Sequence, residues 1–158
     1  MNRKTAVNFL SEIITTFFFI GYIPVISGTF ASLIAVAIYF VLEAYPFGLA
    51  IVTLTVLILG FLFCGRAEKA LAKKDPSCIV IDEVSGMLLS LAFLPYNWGM
   101  VLAAFILFRA LDIFKPFPIS KFQKMNGSLG IMGDDILAGI FTNIILQIVL
   151  RFTSFNIS

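Results

Sequence analysis

Nine of the 158 residues are acidic, and five of these fall in three short stretches: Asp82-Glu83, Asp112 and Asp134-Asp135. Arg109 and Lys115 flank Asp112 at three-residue spacing, which on a helix places all three on one face. The chain has no histidine, and its two cysteines, Cys64 and Cys78, fit neither a CxxC pair nor a zinc spacing. Carboxylates without imidazole or thiolate partners form an oxygen-only site, suited to Mg²⁺, Mn²⁺ or Ca²⁺ rather than zinc. A guanidinium and an ammonium beside them supply the cations that hold phosphate oxygens. Together these point to phosphoryl chemistry assisted by a divalent cation. The lack of histidine excludes hydrolases whose nucleophile or base is imidazole, Ser–His and Cys–His devices included.

Each acidic pair opens an apolar run, so capping by Asp82 or Asp134 is the plain alternative. Capping needs one short side chain, however, and a second adjacent carboxylate adds repulsion. IVIDEVSGM and IMGDDILAG also echo each other, each with a glycine about one turn beyond its acids, Gly86 and Gly139. Small residues near the start of a membrane helix allow close backbone approach, which predicts that the two acidic helix ends converge. For Arg109-Asp112-Lys115 the alternative is a salt-bridged helix end whose long side chains snorkel to the interface.

The elements that carry these residues follow from composition. Sixty per cent of residues are hydrophobic and only 13% charged, more apolar surface than a soluble core of this size can hide, so the expected solvent is lipid. Net charge is +2 with no arginine-rich arm, which argues against a nucleic-acid partner. The length suits a single membrane domain over residues 1–158. Arg3 and Lys4 before an apolar stretch imitate a signal peptide, but Glu12 interrupts and no small-residue cleavage site follows. Residues 9–26 are broken by Gly21 and Pro24 and read as an interfacial or re-entrant segment. Apolar runs at 28–44 and 49–64 form a first hairpin about Tyr45-Pro46-Phe47-Gly48, and the chain then turns polar and basic from Gly65 to Ser77. Residues 84–94 and 99–114 form a second hairpin about an interfacial Pro95-Tyr96-Asn97-Trp98 turn, closed by Lys115-Pro116. The run 84–94 reaches roughly 16 Å, short of a ~30 Å hydrocarbon core, and reads as a half-helix. A polar loop at 119–130 leads to a last apolar run, 136–150. The expected fold is all-α: a polytopic integral membrane helical bundle of about four membrane helices or half-helices plus the N-terminal segment. Two hairpins return the chain to one face, which should hold Thr29, the 65–81 loop and all three acidic stretches, with Arg66, Lys69, Lys73, Lys74, Lys115, Lys121 and Lys124. The positive-inside rule makes that face cytoplasmic.

Four blocks, SGTFASL (27–33), DPSCIVIDEVSGM (75–87), FRALDIFKPFPI (108–119) and LGIMGDDILAG (129–139), resemble the phosphatidylglycerophosphatase A family in order and spacing. The resemblance implies a Mg²⁺-dependent, multi-pass phosphatase of the bacterial cytoplasmic (inner) membrane, with its active site on the cytoplasmic face. Its substrate would be the phospholipid phosphatidylglycerophosphate, converted to phosphatidylglycerol and inorganic phosphate in glycerophospholipid biosynthesis. By position, Asp82, Glu83, Asp112, Asp134 and Asp135 match the family's acidic residues and are expected as catalytic groups and Mg²⁺ ligands. Arg109 and Lys115 match its basic residues and, with Thr29 of the N-terminal motif, are expected on the substrate phosphate. Ala31 and Asn126-Gly127-Ser128 depart from the family pattern at positions that read as turns. The attacking group is either water, deprotonated by a carboxylate such as Asp82, or an aspartate that becomes phosphorylated; Thr29 is the remaining candidate nucleophile. A CDP-alcohol phosphotransferase is excluded by spacing, since the aspartates here are adjacent. A small transporter or interaction protein with an acidic ion or proton relay would spread its acids through membrane depth, whereas these gather at helix ends.

Overall fold

The computed structural model describes the backbone of residues 3–155 and the side chains of residues 9–152. The described residues form helices and their connections, with no strand among them. In chain order these are α1 (Arg3–Thr15), a 3-10 turn (Ile20–Tyr22), α2 (Ser27–Leu42), α3 (Pro46–Leu71), α4 (Ile81–Leu91), α5 (Trp98–Phe114), the single turn α6 (Ile119–Phe122) and α7 (Ser128–Phe155). Two of them, α3 and the Ser128–Phe152 part of α7, are long and apolar enough to cross a membrane. At 1.5 Å per residue each exceeds about 37 Å, against a ~30 Å hydrocarbon core. Helix α4, at 11 residues, does not.

Helix boundaries depart from the apolar runs in both directions. The polar stretch from Gly65 does not begin a loop: α3 continues through Leu71. Arg66-Ala67-Glu68-Lys69-Ala70-Leu71 are all strong helix formers, and the helix stops only at Ala72, which takes a left-handed conformation with φ 48°. Helix α7 likewise starts at Ser128, inside the stretch read as a loop, so Asp134 lies six residues into the helix rather than at its cap. Asp82 is the second residue of α4, whose N-cap position is Val80 without a side-chain cap. Capping by Asp82 or Asp134 is therefore not what the pairs do. Ala31 is not in a turn either; it is buried within α2. Residues 9–26 break at Thr15 and turn through 20–22, so they contain no spanning helix. Thr15 instead accepts a backbone hydrogen bond from Val80, just ahead of α4. The side chains of Arg3 and Lys4 lie outside the described residues.

Helix α4 is the hub, packed against α2, α3, α5 and α7, and Val84, Met87, Leu88 and Leu91 are fully enclosed. Its buried hydroxyls return to its own backbone, Ser85 to Asp82 O and Ser90 to Gly86 O. Its closest neighbour is α7, and two glycines make that possible. A Cβ on Gly139 would stand 2.4 Å from the Gly86 carbonyl oxygen, and one on Gly86 would stand 2.6 Å from the Asp135 carbonyl oxygen and 2.7 Å from the Phe108 ring. The expected convergence of the two acidic helices is thus a backbone-to-backbone contact.

A half-helix ending among apolar neighbours leaves carbonyls that lipid cannot satisfy. Each from Ser90 to Leu94 has a partner here. Asn143 of α7 donates to Ser90 O and Ala92 O, and Gln147 one turn on donates to Phe93 O. Leu94 N donates to Leu91 O, and the Tyr39 hydroxyl of α2 donates to Leu94 O. Just beyond, Asn97 caps α5 by accepting from Gly99 N and Met100 N. Phe40, Tyr96 and Trp98 cluster there, Phe40 and Trp98 at 4.6 Å between centroids, as an aromatic belt at a lipid–water boundary would.

Asn143→Leu keeps the branched heavy-atom shape but leaves two part-buried carbonyls without a donor. It should destabilise the detergent-solubilised protein by about 1–3 kcal/mol, read as a lowered thermal unfolding midpoint; an unchanged midpoint would show that these bonds carry no weight. Gly139→Ala has a backbone oxygen in its way, so the helices must part. A loss of about 1–3 kcal/mol is expected from such overpacking, with the same readout.

Candidate active site

Four helix ends meet at the end of the bundle opposite the aromatic cluster. α4 brings Asp82 and Glu83, α7 brings Asp134 and Asp135, the C-terminal part of α5 brings Arg109 and Asp112, and Lys115 follows as its left-handed C-cap, φ 43°. The proline after Lys115 explains the stop: it disfavours helical geometry in the residue before it. The start of α2 completes the ring. A Cβ on Gly28 would lie 2.4 Å from Glu83 Oε1 and 3.2 Å from Arg109 Nη1, so this glycine lies against the pocket. Thr29, singled out from sequence, is half-buried beside that contact.

One oxygen each of Asp82, Glu83 and Asp135 lie within 4.8 Å of one another. Asp82, Asp112, Asp134 and Asp135 are all buried, and Glu83 is half-buried. Asp112 joins the set from α5, close enough to Asp135 and Glu83 to act on both electrostatically. The cations sit on one side of it. Arg109 Nη1 lies 2.6 Å from Asp112 Oδ2, and Lys115 Nζ is 3.7 Å from Asp112 Oδ1 while also hydrogen-bonding Asp134 Oδ2. Burial works against the Lys115 charge, but the Asp134 hydrogen bond and the charges of Asp135, Asp134 and Asp112 outweigh it and hold the ammonium above the usual lysine range. The helix-end ion pairs read from sequence are therefore real, and they are part of the cluster instead of an alternative to it.

The acids are under-partnered. Asp82 Oδ1, Glu83 Oε2 and Asp134 Oδ1 are buried without a hydrogen-bond donor. A buried carboxylate oxygen lacking a partner is costly, and three in one pocket have the chemistry of a hard-cation cradle. Asp82, Glu83 and Asp135 each offer one ligand oxygen, a set that fits a divalent ion such as Mg²⁺. Formally, five carboxylates face two cations, a net of −3 if all are ionised. Such a pocket repels phosphate until positive charge is added.

All five acidic residues, Arg109 and Lys115 thus meet, with Thr29 at the margin. Sequence reasoning passed over Gly28, whose missing side chain admits Glu83. It also passed over Asn143 and Gln147, two amides in an otherwise apolar run that signalled a backbone needing donors. The cysteines take no part: Cys64 is enclosed, its Sγ 3.8 Å from Met132 Sδ.

Comparison with known proteins identifies the family. The family model described as Phosphatidylglycerophosphatase A matches residues 13–150. Phosphatidylglycerophosphatase A of Escherichia coli strain K12 is 36% identical over 132 residues, 82% of this chain and 77% of that protein. A Haemophilus influenzae protein of the same name is 38% identical over 117 residues, 73% of this chain and 66% of that protein. A Bacteroides thetaiotaomicron protein with the provisional name phosphatidylinositol-3-phosphatase is 37% identical over 152 residues, 89% of this chain and 94% of that protein. No solved structure matches significantly. With its acidic helix starts inside a match that spans most of its length, the chain belongs to the phosphatidylglycerophosphatase A family, and is a phosphatase.

Proposed function

We propose that the protein hydrolyses the terminal phosphomonoester of phosphatidylglycerophosphate, giving phosphatidylglycerol and inorganic phosphate, in a Mg²⁺-dependent reaction at the cytoplasmic face of a bacterial membrane. The observation that carries this is the buried acid cluster with three unpartnered oxygens beside Arg109 and Lys115. Asp82, Glu83 and Asp135 hold the ion, with Asp112 adjoining. When bound, the ion supplies Lewis acidity toward phosphoryl oxygens and lowers the pKa of coordinated water. Arg109 and Lys115 hold the non-bridging phosphate oxygens, turning from their acid partners to share the substrate. Asp134 is tied by Lys115 through Oδ2, and its free Oδ1 supports a role as the base that takes the proton from attacking water. This replaces Asp82, which belongs with the cation set. Gly28 leaves room beside Arg109 that a larger residue would fill, and Thr29 borders that space.

The relatives' names share one chemistry, a phosphomonoester on a glycerophospholipid headgroup. The glycerophosphate headgroup is preferred because the family model and two relatives are named for it. A relay protein is disfavoured because the acids gather at one end of the bundle.

The proposed topology is multi-pass, with α2, α3, α5 and α7 in the bilayer and α4 as a half-helix. Arg66, Lys69, Lys73, Lys74, Lys115, Lys121 and Lys124 accompany the acid-bearing end, and of the described basic residues only Arg151 lies toward the other. That asymmetry supports a cytoplasmic pocket.

Purified protein should release phosphate from phosphatidylglycerophosphate in mixed micelles, stop in EDTA and recover with added Mg²⁺. Asp135→Asn should lose roughly a hundredfold or more, the scale of removing a catalytic group, while still inserting in membranes. Activity that persists in EDTA, or in the variant, would remove the cation or Asp135 from the reaction. In spheroplasts, single cysteines at 74 and 125 should resist an impermeant maleimide from outside while one at 96 reacts. Labelling of 74 and 96 from the same side would overturn the topology.

A further inference from the structure

Glu68 stands on the last exposed turns of α3, outside the acid cluster, and its carboxylate is fully used. Oε1 accepts from Asp75 N at 3.3 Å and Oε2 accepts from Gly127 N at 2.8 Å. These amides belong to the two loops that lead into the acid-bearing helices. Asp75 precedes Asp82 by seven residues (82 − 75), and Gly127 precedes Asp134 by seven (134 − 127). The same loops are tied again by Lys74 Nζ donating to Lys124 O at 3.2 Å. Three residues before Glu68, Gly65 N donates to Ser128 Oγ at 2.8 Å, fastening the first residue of α7 to α3. Further down, Gly86 and Gly139 fix how closely α4 and α7 cross. On the loop side of that crossing, a single carboxylate takes one amide from each lead-in loop.

We infer that Glu68 is a positioning residue that sets the relative register of α4 and α7, and through it the spacing of Asp82 and Glu83 from Asp134 and Asp135. The inference rests on the cation reading of that pocket. It assigns Glu68 no contact with substrate or ion. Groups that orient metal ligands from behind typically alter metal affinity by roughly 10–100-fold when changed, and charge-assisted bonds to backbone amides are the strong kind.

The test uses full-length protein in detergent and the variant Glu68→Gln. The amide side chain keeps its length and can still accept one N–H, but its NH₂ then faces the other N–H, donor to donor, so one loop must let go. Asp75→Asn is the control. It removes a negative charge from the same loop, leaves both amide bonds, and asparagine tolerates the left-handed backbone at position 75, φ 46°. Hydrogen exchange by mass spectrometry should rise in at least one of the two loops, 72–80 or 123–128, in Glu68→Gln and in neither loop in the control. Mn²⁺ binding followed by electron paramagnetic resonance should weaken roughly tenfold or more in Glu68→Gln and stay at the wild-type value in Asp75→Asn. Exchange rising in neither loop, or Mn²⁺ binding equal in the two variants, would overturn the inference. Wild-type protein that binds no Mn²⁺ would overturn the cation reading of the pocket and the cation half of this inference with it, while exchange still decides whether Glu68 ties the loops.

Discussion

Carboxylates repel, and the pocket exists because backbone contact between α4 and α7 holds them together regardless. Two unit charges 4.8 Å apart, the span of the Asp82–Glu83–Asp135 oxygens, oppose each other by about 3.5 kcal/mol at an effective dielectric constant of 20. Three such pairs would amount to a large part of the stability of a small protein. Arg109 and Lys115 offset some of it, Arg109 acting on Glu83 and Lys115 on Asp135 as well as on their ion-pair partners. The remaining repulsion between the two helices is opposed by the Gly86–Gly139 crossing, where each helix presents bare backbone to the other. On the proposed reading a divalent ion among these oxygens would replace mutual repulsion by attraction to a shared centre, so the geometry that gathers the acids would also serve as a cation site.

Helix α4 has to be short for this to work. Its acidic start must reach the end of the bundle where α2, α5 and α7 bring their own ends, and its far end then falls among apolar side chains. Helices α3 and α7 supply full-length scaffolding on either side. Asn143, Gln147 and Tyr39 supply the donors that let the helix terminate there. Helix α7 thus does two jobs on one element, carrying Asp134 and Asp135 near its start and closing α4 two to three turns later.

The residues with chemistry were legible in the sequence, and so was their meeting, because acids at the starts of hairpin-related helices can only return to one end. The echo of Gly86 and Gly139 correctly anticipated the close crossing. Boundaries were less legible. The change from apolar to polar at Gly65 marks where the chain leaves its apolar surroundings, not where the helix ends, and good helix formers carried α3 onward to Leu71. The same confusion made Asp134 look like a cap when it lies well inside α7. Thr29 drew notice because its hydroxyl could do chemistry; its neighbour Gly28, which also lies against the pocket, contributes by the absence of a side chain and so drew none. Asn143 and Gln147 were hidden by the apolar average around them. Their meaning depends on where another helix ends, which no local pattern reveals.

Depth connects the pocket with the proposed substrate. Asp134 lies six residues inside α7, about 9 Å from the helix start at 1.5 Å per residue. The α7 acids are thus recessed below the loops and the α6 turn that carry Lys73, Lys74, Lys121 and Lys124. A phospholipid that stays in its leaflet presents its phosphates at the boundary between hydrocarbon and water, the level that a recessed pocket beneath a basic rim would occupy. The rim attracts anionic headgroups, at about 1 kcal/mol per lysine or arginine near a charged surface, but the acid cluster beneath it would turn the same headgroup away. On the proposed reading the cation resolves that conflict. A lipid phosphate drawn in by the rim would then be accepted only by the metal-loaded pocket, and metal occupancy would gate binding as well as chemistry.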